Sequence, residues 1–198
     1  MEQTLRLWRW CAGLLALLAL AACAGLQVDV NTPQPAPPGL VGARIQLQAD
    51  PANDESSHAP ALQQAVIAAM QGVGLHPVLG QPAAYTARYS YRYYVDFEAS
   101  FPSAWPPPGH PVVLPDGSRI DNGYPLVWNG WWPPVWYDRV FELEIRDSAS
   151  GALVWRTSAM IGSYDHRLEP VALGLAQTAL QGFPAGGGHQ RLPLPRQP

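Results

Sequence analysis

Ala84-Tyr-Thr-Ala-Arg-Tyr-Ser-Tyr-Arg-Tyr-Tyr-Val-Asp-Phe-Glu-Ala99 is the stretch on which the fold turns. Tyr85, Ala87, Tyr89, Tyr91, Tyr93, Val95 and Phe97 fall on one side of a period-two ladder. Thr86, Arg88, Ser90, Arg92, Tyr94, Asp96 and Glu98 fall on the other. Period two with ionic residues on one side predicts a strand with one packed and one wet face. Aromatic side chains favour strands and pair well across them, so the tyrosines read first as sheet packing and second as a binding surface.

On either side of this strand the same alternation recurs. Val28 and Val30 alternate within Gln27–Asn31, which reads as a strand, or else as a tether ahead of the prolines at 33, 35, 37 and 38. Ala43, Ile45 and Leu47 mark a second strand. Downstream, Phe141, Leu143 and Ile145 are followed by the turn Asp147–Gly151 and then Leu153, Trp155, Thr157, Ala159 and Ile161, the pattern of a hairpin. Two helices are expected. One opens at Ser56–Pro60, with Leu62, Val66, Ala69, Met70 and Val73 at helical spacing, and stops at Gly72 and Gly74. The other starts at Glu169-Pro170, carries Val171, Ala172, Leu175, Thr178, Ala179 and Leu180, and ends near Gly182-Phe-Pro184. A helix with an apolar stripe must lie against the sheet to bury it. The expected fold is therefore α+β: an antiparallel sheet with two helices packed on one face. Residues 185–198 form a Gly/Pro-rich tail, with a short edge strand at 190–195 left open.

Residues 101–138 break the pattern. They hold Trp105-Pro-Pro-Pro-Gly109, turn signals at Pro115–Gly117 and Asp121–Gly123, and Trp128-Asn-Gly-Trp-Trp-Pro-Pro-Val-Trp-Tyr137. Prolines exclude regular central strands here, and a connection this long is functional or disordered more often than incidental. Trp128, Trp131, Trp132, Trp136 and Tyr137 form the candidate binding surface of this Trp/Pro/Gly-rich insert. Tryptophan joins a large apolar face to one N–H, which suits protein interfaces, sugar rings and membrane surfaces. The competing reading folds the insert onto the sheet as core cover.

The amino terminus addresses location. Arg6 and Arg9 precede an apolar run that ends in Leu20-Ala-Ala-Cys23, the order of charge, hydrophobic segment and small residues found in secretory signals. The run is too short to span a bilayer. Leu-Ala-Ala-Cys resembles a bacterial lipobox, which implies a signal peptide at 1–22, cleavage before Cys23 and lipidation of its thiol; Ala24 at the next position implies the outer membrane. An ordinary signal peptide with a chance cysteine is the alternative. Removal of the signal takes Arg6, Arg9 and Glu2 and moves the formal charge from −3 to −4. A mildly acidic domain argues against nucleic acid and against a basic grip on anionic lipid.

Residues 23–184 read as one domain. The order strand, strand, helix, strand, aromatic insert, hairpin, helix, with Leu153-Val-Trp-Arg156 after a Ser-Gly turn and Gly182-Phe-Pro184 closing the last helix, resembles the bacterial lipoproteins that carry domain of unknown function 4136. That resemblance implies fold and location and no catalytic residues. The sequence shows no nucleophile elbow, phosphate loop, dinucleotide fingerprint or zinc-protease helix. His58, His76, His110, His166 and His189 lack ligand-like spacing, so no metal and no cofactor is expected. Ser163, Asp165 and His166 are sequence neighbours, which is no evidence for a triad. The expectation is a non-enzymatic lipoprotein, anchored in the membrane through Cys23 on the periplasmic face of the outer membrane, that serves as a binding or envelope-maintenance module with an envelope protein or peptidoglycan as its partner. The alternative is a peptidoglycan-binding module, with an enzyme a distant third.

Overall fold

A computed structural model describes residues 26–54, 58–96, 112–113, 119–120 and 135–195. Its centre is a seven-stranded sheet. The aromatic stretch forms β4 (Tyr85–Asp96), the fourth strand in chain order. It pairs antiparallel along its whole length with β7 (Trp136–Asp147), from Tyr85 opposite Asp147 to Asp96 opposite Trp136. Through the turn at 147–151, β7 continues into β8 (Leu153–Ser163) as the expected hairpin. Asp147 Oδ1 accepts from the Ala149 and Ser150 amides and from Ser150 Oγ, and Gly151 takes the positive φ of 72° that the turn needs.

On the other side of β8 lies β1 (Gln27–Thr32), a strand and not a tether, and outside it β9 (Gly188–Pro193) pairs with all of β1. The carboxyl-terminal segment therefore supplies an edge strand of the domain. Beyond β4 the pattern changes. β2 (Arg44–Ala49) runs parallel to β4 and also to the three-residue β3 (His76–Val78). The sheet is thus mixed, and the expected all-antiparallel arrangement is corrected. The reason is the path between 49 and 76. The one-turn helix α1 (Pro51–Asp54) and the helix α2 (Ala59–Gly72) carry the chain back to the end of the sheet where β2 began, so the next strand must run parallel to it. A short two-stranded pair, β5 (Val112–Val113) and β6 (Arg119–Ile120), is separate from this sheet.

The core is single. Ile45 and Leu47 of β2, Ala87, Tyr89 and Tyr91 of β4, Phe141, Leu143 and Ile145 of β7, and Trp155, Ala159 and Ile161 of β8 are all buried. They join Leu62, Val66, Ala69 and Met70 of α2 and Val171, Ala172, Leu175, Ala176, Ala179 and Leu180 of α3 (Glu169–Leu180). The alternate side chains Arg88, Arg92, Glu142 and Arg156 are exposed. α2 starts at Ala59 behind His58, with Pro60 in its first turn and no side-chain cap; the expected Ser56 start lies outside the described residues.

Candidate functional site

β4 is longer than its neighbour β2. Their pairing ends with Ala49 opposite Tyr89, and residues 91–96 project past it. Two substitutes complete this stretch. The Asp50 amide donates to the Tyr89 carbonyl at 2.8 Å. The buried Asn53 side chain then pairs with Tyr91 as a strand residue would: Tyr91 N donates to Oδ1 and Nδ2 donates to Tyr91 O, both at 2.7 Å. Past Tyr91 none of the described residues continues β2, and Tyr93 is 51% exposed although it shares the core-side parity.

The starts of α2 and α3 meet over this overhang, where His58 Nδ1 and Glu169 Oε1 are in polar contact. Between them and β4 runs a groove of about 650 Å³, walled by Tyr91, Tyr93, Tyr94, Arg92, Asn53, Leu62 and the 166–169 segment. The Tyr91 hydroxyl donates to Ala172 O at 2.9 Å, and burial, with Tyr89 second, pushes its pKa well above the ordinary phenol value, so it stays neutral. The His166 ring lies 5.7 Å from the Tyr93 ring and 5.4 Å from the Tyr137 ring, closing the groove's far end with aromatic surface.

Two arginines here are paired with carboxylates. Arg167 grips Asp165 through Nε at 3.0 Å and through its terminal nitrogen at 2.8 Å, which holds that carboxyl well below the usual range. Arg92 lies 3.6 Å from Asp50, and its pKa is raised chiefly by a hydrogen bond with Tyr94. Arg139 is 2% exposed beneath the 164–168 segment; it donates to Arg167 O at 3.0 Å while its Nε has no partner among the described residues. Burial lowers its pKa, with Asp165 acting in the opposite direction. Chemically the groove offers flat aromatic faces beside hydrogen-bond donors and acceptors.

The Ser163–His166 neighbourhood is a turn. Ser163 Oγ donates to Asp165 O and accepts from Asp165 N, each at 3.0 Å, and the Asp165 carboxylate is turned to Arg167. No group of three or more metal-ligating side chains occurs among the described residues. Cys23, Trp128, Trp131 and Trp132 lie outside the described residues. Trp136 and Tyr137 are the first two residues of β7, paired with Asp96 and Val95, so the last three residues of the 101–138 span are strand. The sheet's two faces separate them. Tyr137 lies beside Tyr93 (6.0 Å between ring centroids), whereas Trp136 crosses Gly162 on the outer face and meets Tyr164 edge-on at 4.9 Å. Asn53 and the overhang of β4 were not readable as site features, although a strand predicted at more than twice the length of its neighbour was the available signal.

No protein family and no curated protein matches the sequence. Among solved structures, a variant of the PelC dodecamer from Paraburkholderia phytofirmans is 14% identical, over 80% of this chain and 98% of its own, with a TM-score of 0.43. The PelC dodecamer from the same organism gives 13%, 80%, 99% and 0.44. A PDZ domain protein from Parabacteroides distasonis is 11% identical over 85% of this chain, with a TM-score of 0.47, and the match spans 39% of that protein. Likeness at this level bears on neither family nor function.

Proposed function

We propose that this chain is a lipid-anchored lipoprotein of the bacterial cell envelope, held through Cys23 at the periplasmic face of the outer membrane, and that it binds another envelope component without catalysing a reaction. The observation that carries this reading is the junction of signal and domain. Leu20-Ala-Ala-Cys23 has lipobox character, and the first strand starts only four residues later, at Gln27. The resemblance to lipoproteins carrying domain of unknown function 4136 supports the same location. In this reading residues 101–135 are an insert that presents Trp128, Trp131 and Trp132 to the partner.

A second reading, binding of peptidoglycan glycan strands, is favoured by one observation: the groove is walled by Tyr91, Tyr93 and Tyr94, whose flat rings and polar atoms suit sugar rings. Mass spectrometry of the mature protein from membranes tests the anchor. A triacylated amino-terminal cysteine, lost together with membrane retention in Cys23→Ala, is expected; an unmodified cysteine in the wild type overturns it. Substituting Trp131 and Trp132 by alanine then tests binding. Unchanged stability with lost capture of the envelope partner or of peptidoglycan supports the insert as the binding surface, and lost stability assigns it to the core.

A further inference from the structure

We propose that the end of the sheet bearing Tyr94, Trp136 and Tyr164 rests on the bilayer surface when the protein is anchored; this builds on the acylation of Cys23 proposed above. Three residue steps separate Cys23 from Leu26, a reach of at most about 11 Å when fully extended. Leu26 is already part of the domain, since its carbonyl accepts from the Leu194 amide at 2.8 Å, and Gln27 enters β1 between β8 and β9. The lipid therefore has no linker on which to hold the domain away from the membrane.

Strand register identifies the end that is tied down. Asp29 of β1 lies opposite Met160 of β8, so β1 starts at the Gly162 end of that strand. The same end holds Ser163 opposite Tyr137 and Trp136 opposite Asp96. The exposed aromatic side chains of the described residues gather there: Tyr164 is 60% exposed, Tyr93 and Tyr94 each 51%, and Leu26 beside the tether 51%. Among the described residues, the large apolar side chains exposed at the opposite end are the aliphatics Val41, Leu79 and Leu153. Tyrosine and tryptophan suit the headgroup layer, where an apolar ring and a polar atom are both satisfied.

The charge at this end defines the kind of surface it fits. Asp29, Asp96 and Asp138 lie on its outer face, and Arg191 is committed to Asp29 at 2.9 Å. Contact must then come from ring burial, not from attraction to anionic headgroups, and it should form equally on zwitterionic phosphatidylcholine.

Fluorophore labelling of the full lipidated protein tests this. The chain has two cysteines, Cys11 within the signal and Cys23 at the anchor, so a cysteine introduced elsewhere is the single reactive thiol once Cys23 is acylated. Tyr94→Cys, Tyr164→Cys and, in the turn at the far end, Ala149→Cys are labelled with an environment-sensitive fluorophore and reconstituted in phosphatidylcholine vesicles with brominated acyl chains. Several-fold stronger quenching at 94 and 164 than at 149, unchanged by added salt, is the expected result. Equal quenching at the three positions, or none at 94 and 164, overturns the orientation, and the second outcome leaves that face to a periplasmic partner. Labelling of the wild type itself would instead show a free Cys23 thiol and overturn the anchor, so the two failures are distinguishable.

Discussion

Thr32 and Thr157 meet hydroxyl to hydroxyl at 2.7 Å, 125 residues apart in the chain and both buried. Thr157 Oγ1 also donates to the Ala179 carbonyl at 2.9 Å, which assigns the donor in the first bond to Thr32. The relay joins β1, β8 and α3 through the apolar core. Thr157→Val keeps the shape but strands the Thr32 hydroxyl and the Ala179 carbonyl. A loss of about 1–3 kcal/mol in denaturant unfolding is expected. Thr32→Val should cost less, because the outer Thr157 bond survives. The double variant should cost less than the sum of the two.

Asn53 offers a similar test at the groove. Its amide stands in for a missing strand residue against Tyr91, so Asn53→Ala leaves a paired N–H and C=O of β4 without partners. A loss of roughly 2 kcal/mol is expected, together with accelerated amide exchange at Tyr91. Asn53→Asp keeps the acceptor and loses the donor, and should protect that amide better than alanine does.

Trp136 depends on a missing side chain. A Cβ at Gly162 would lie 2.8 Å from Trp136 Cε2, so Gly162→Ala must push the indole off its strand and away from Tyr164. A cost of about 1–3 kcal/mol is expected, with a changed near-ultraviolet circular dichroism signal. The same substitution made in a Trp136→Phe background should cost less. An equal cost in both backgrounds would place the strain elsewhere.

Two carboxylates should respond to pH in opposite directions. Asp147 has its pKa lowered, first by the Ser150 amide and hydroxyl, so its ionised form favours the folded state. That contribution is complete above the unfolded value near about 4 and is lost as pH falls through the lower folded value. Asp138 has its pKa raised, by burial first and by Asp96 next. Its ionised form therefore disfavours the folded state, a cost present at neutral pH and relieved as pH falls through the raised folded value. Thermal melts should show Asp147→Ala lowering Tm at pH 7 and converging on the wild type at strongly acidic pH. Asp138→Asn, which retains an acceptor for Trp136, should hold or raise Tm at pH 7 and lose that advantage in acid.

The sequence itself determined the local elements. Period two marked β1, β2, β4, β7 and β8, and helical spacing marked α2 and α3, because each pattern is written within one segment by the face it must bury. It also carried the lipobox-like signal, a local motif at Cys23. β3 escaped because three residues with a central proline show no period, and β9 stayed ambiguous because its side chains are nearly all exposed and it is held by backbone bonds to β1. The direction of β2, the overhang of β4 with the exposure of Tyr93, and the gathering of Tyr94, Trp136 and Tyr164 at the Gly162 end of β8 were decided only by the tertiary structure. Each depends on where a distant strand stops or which way a helix returns the chain, and no side-chain alternation within a segment records that.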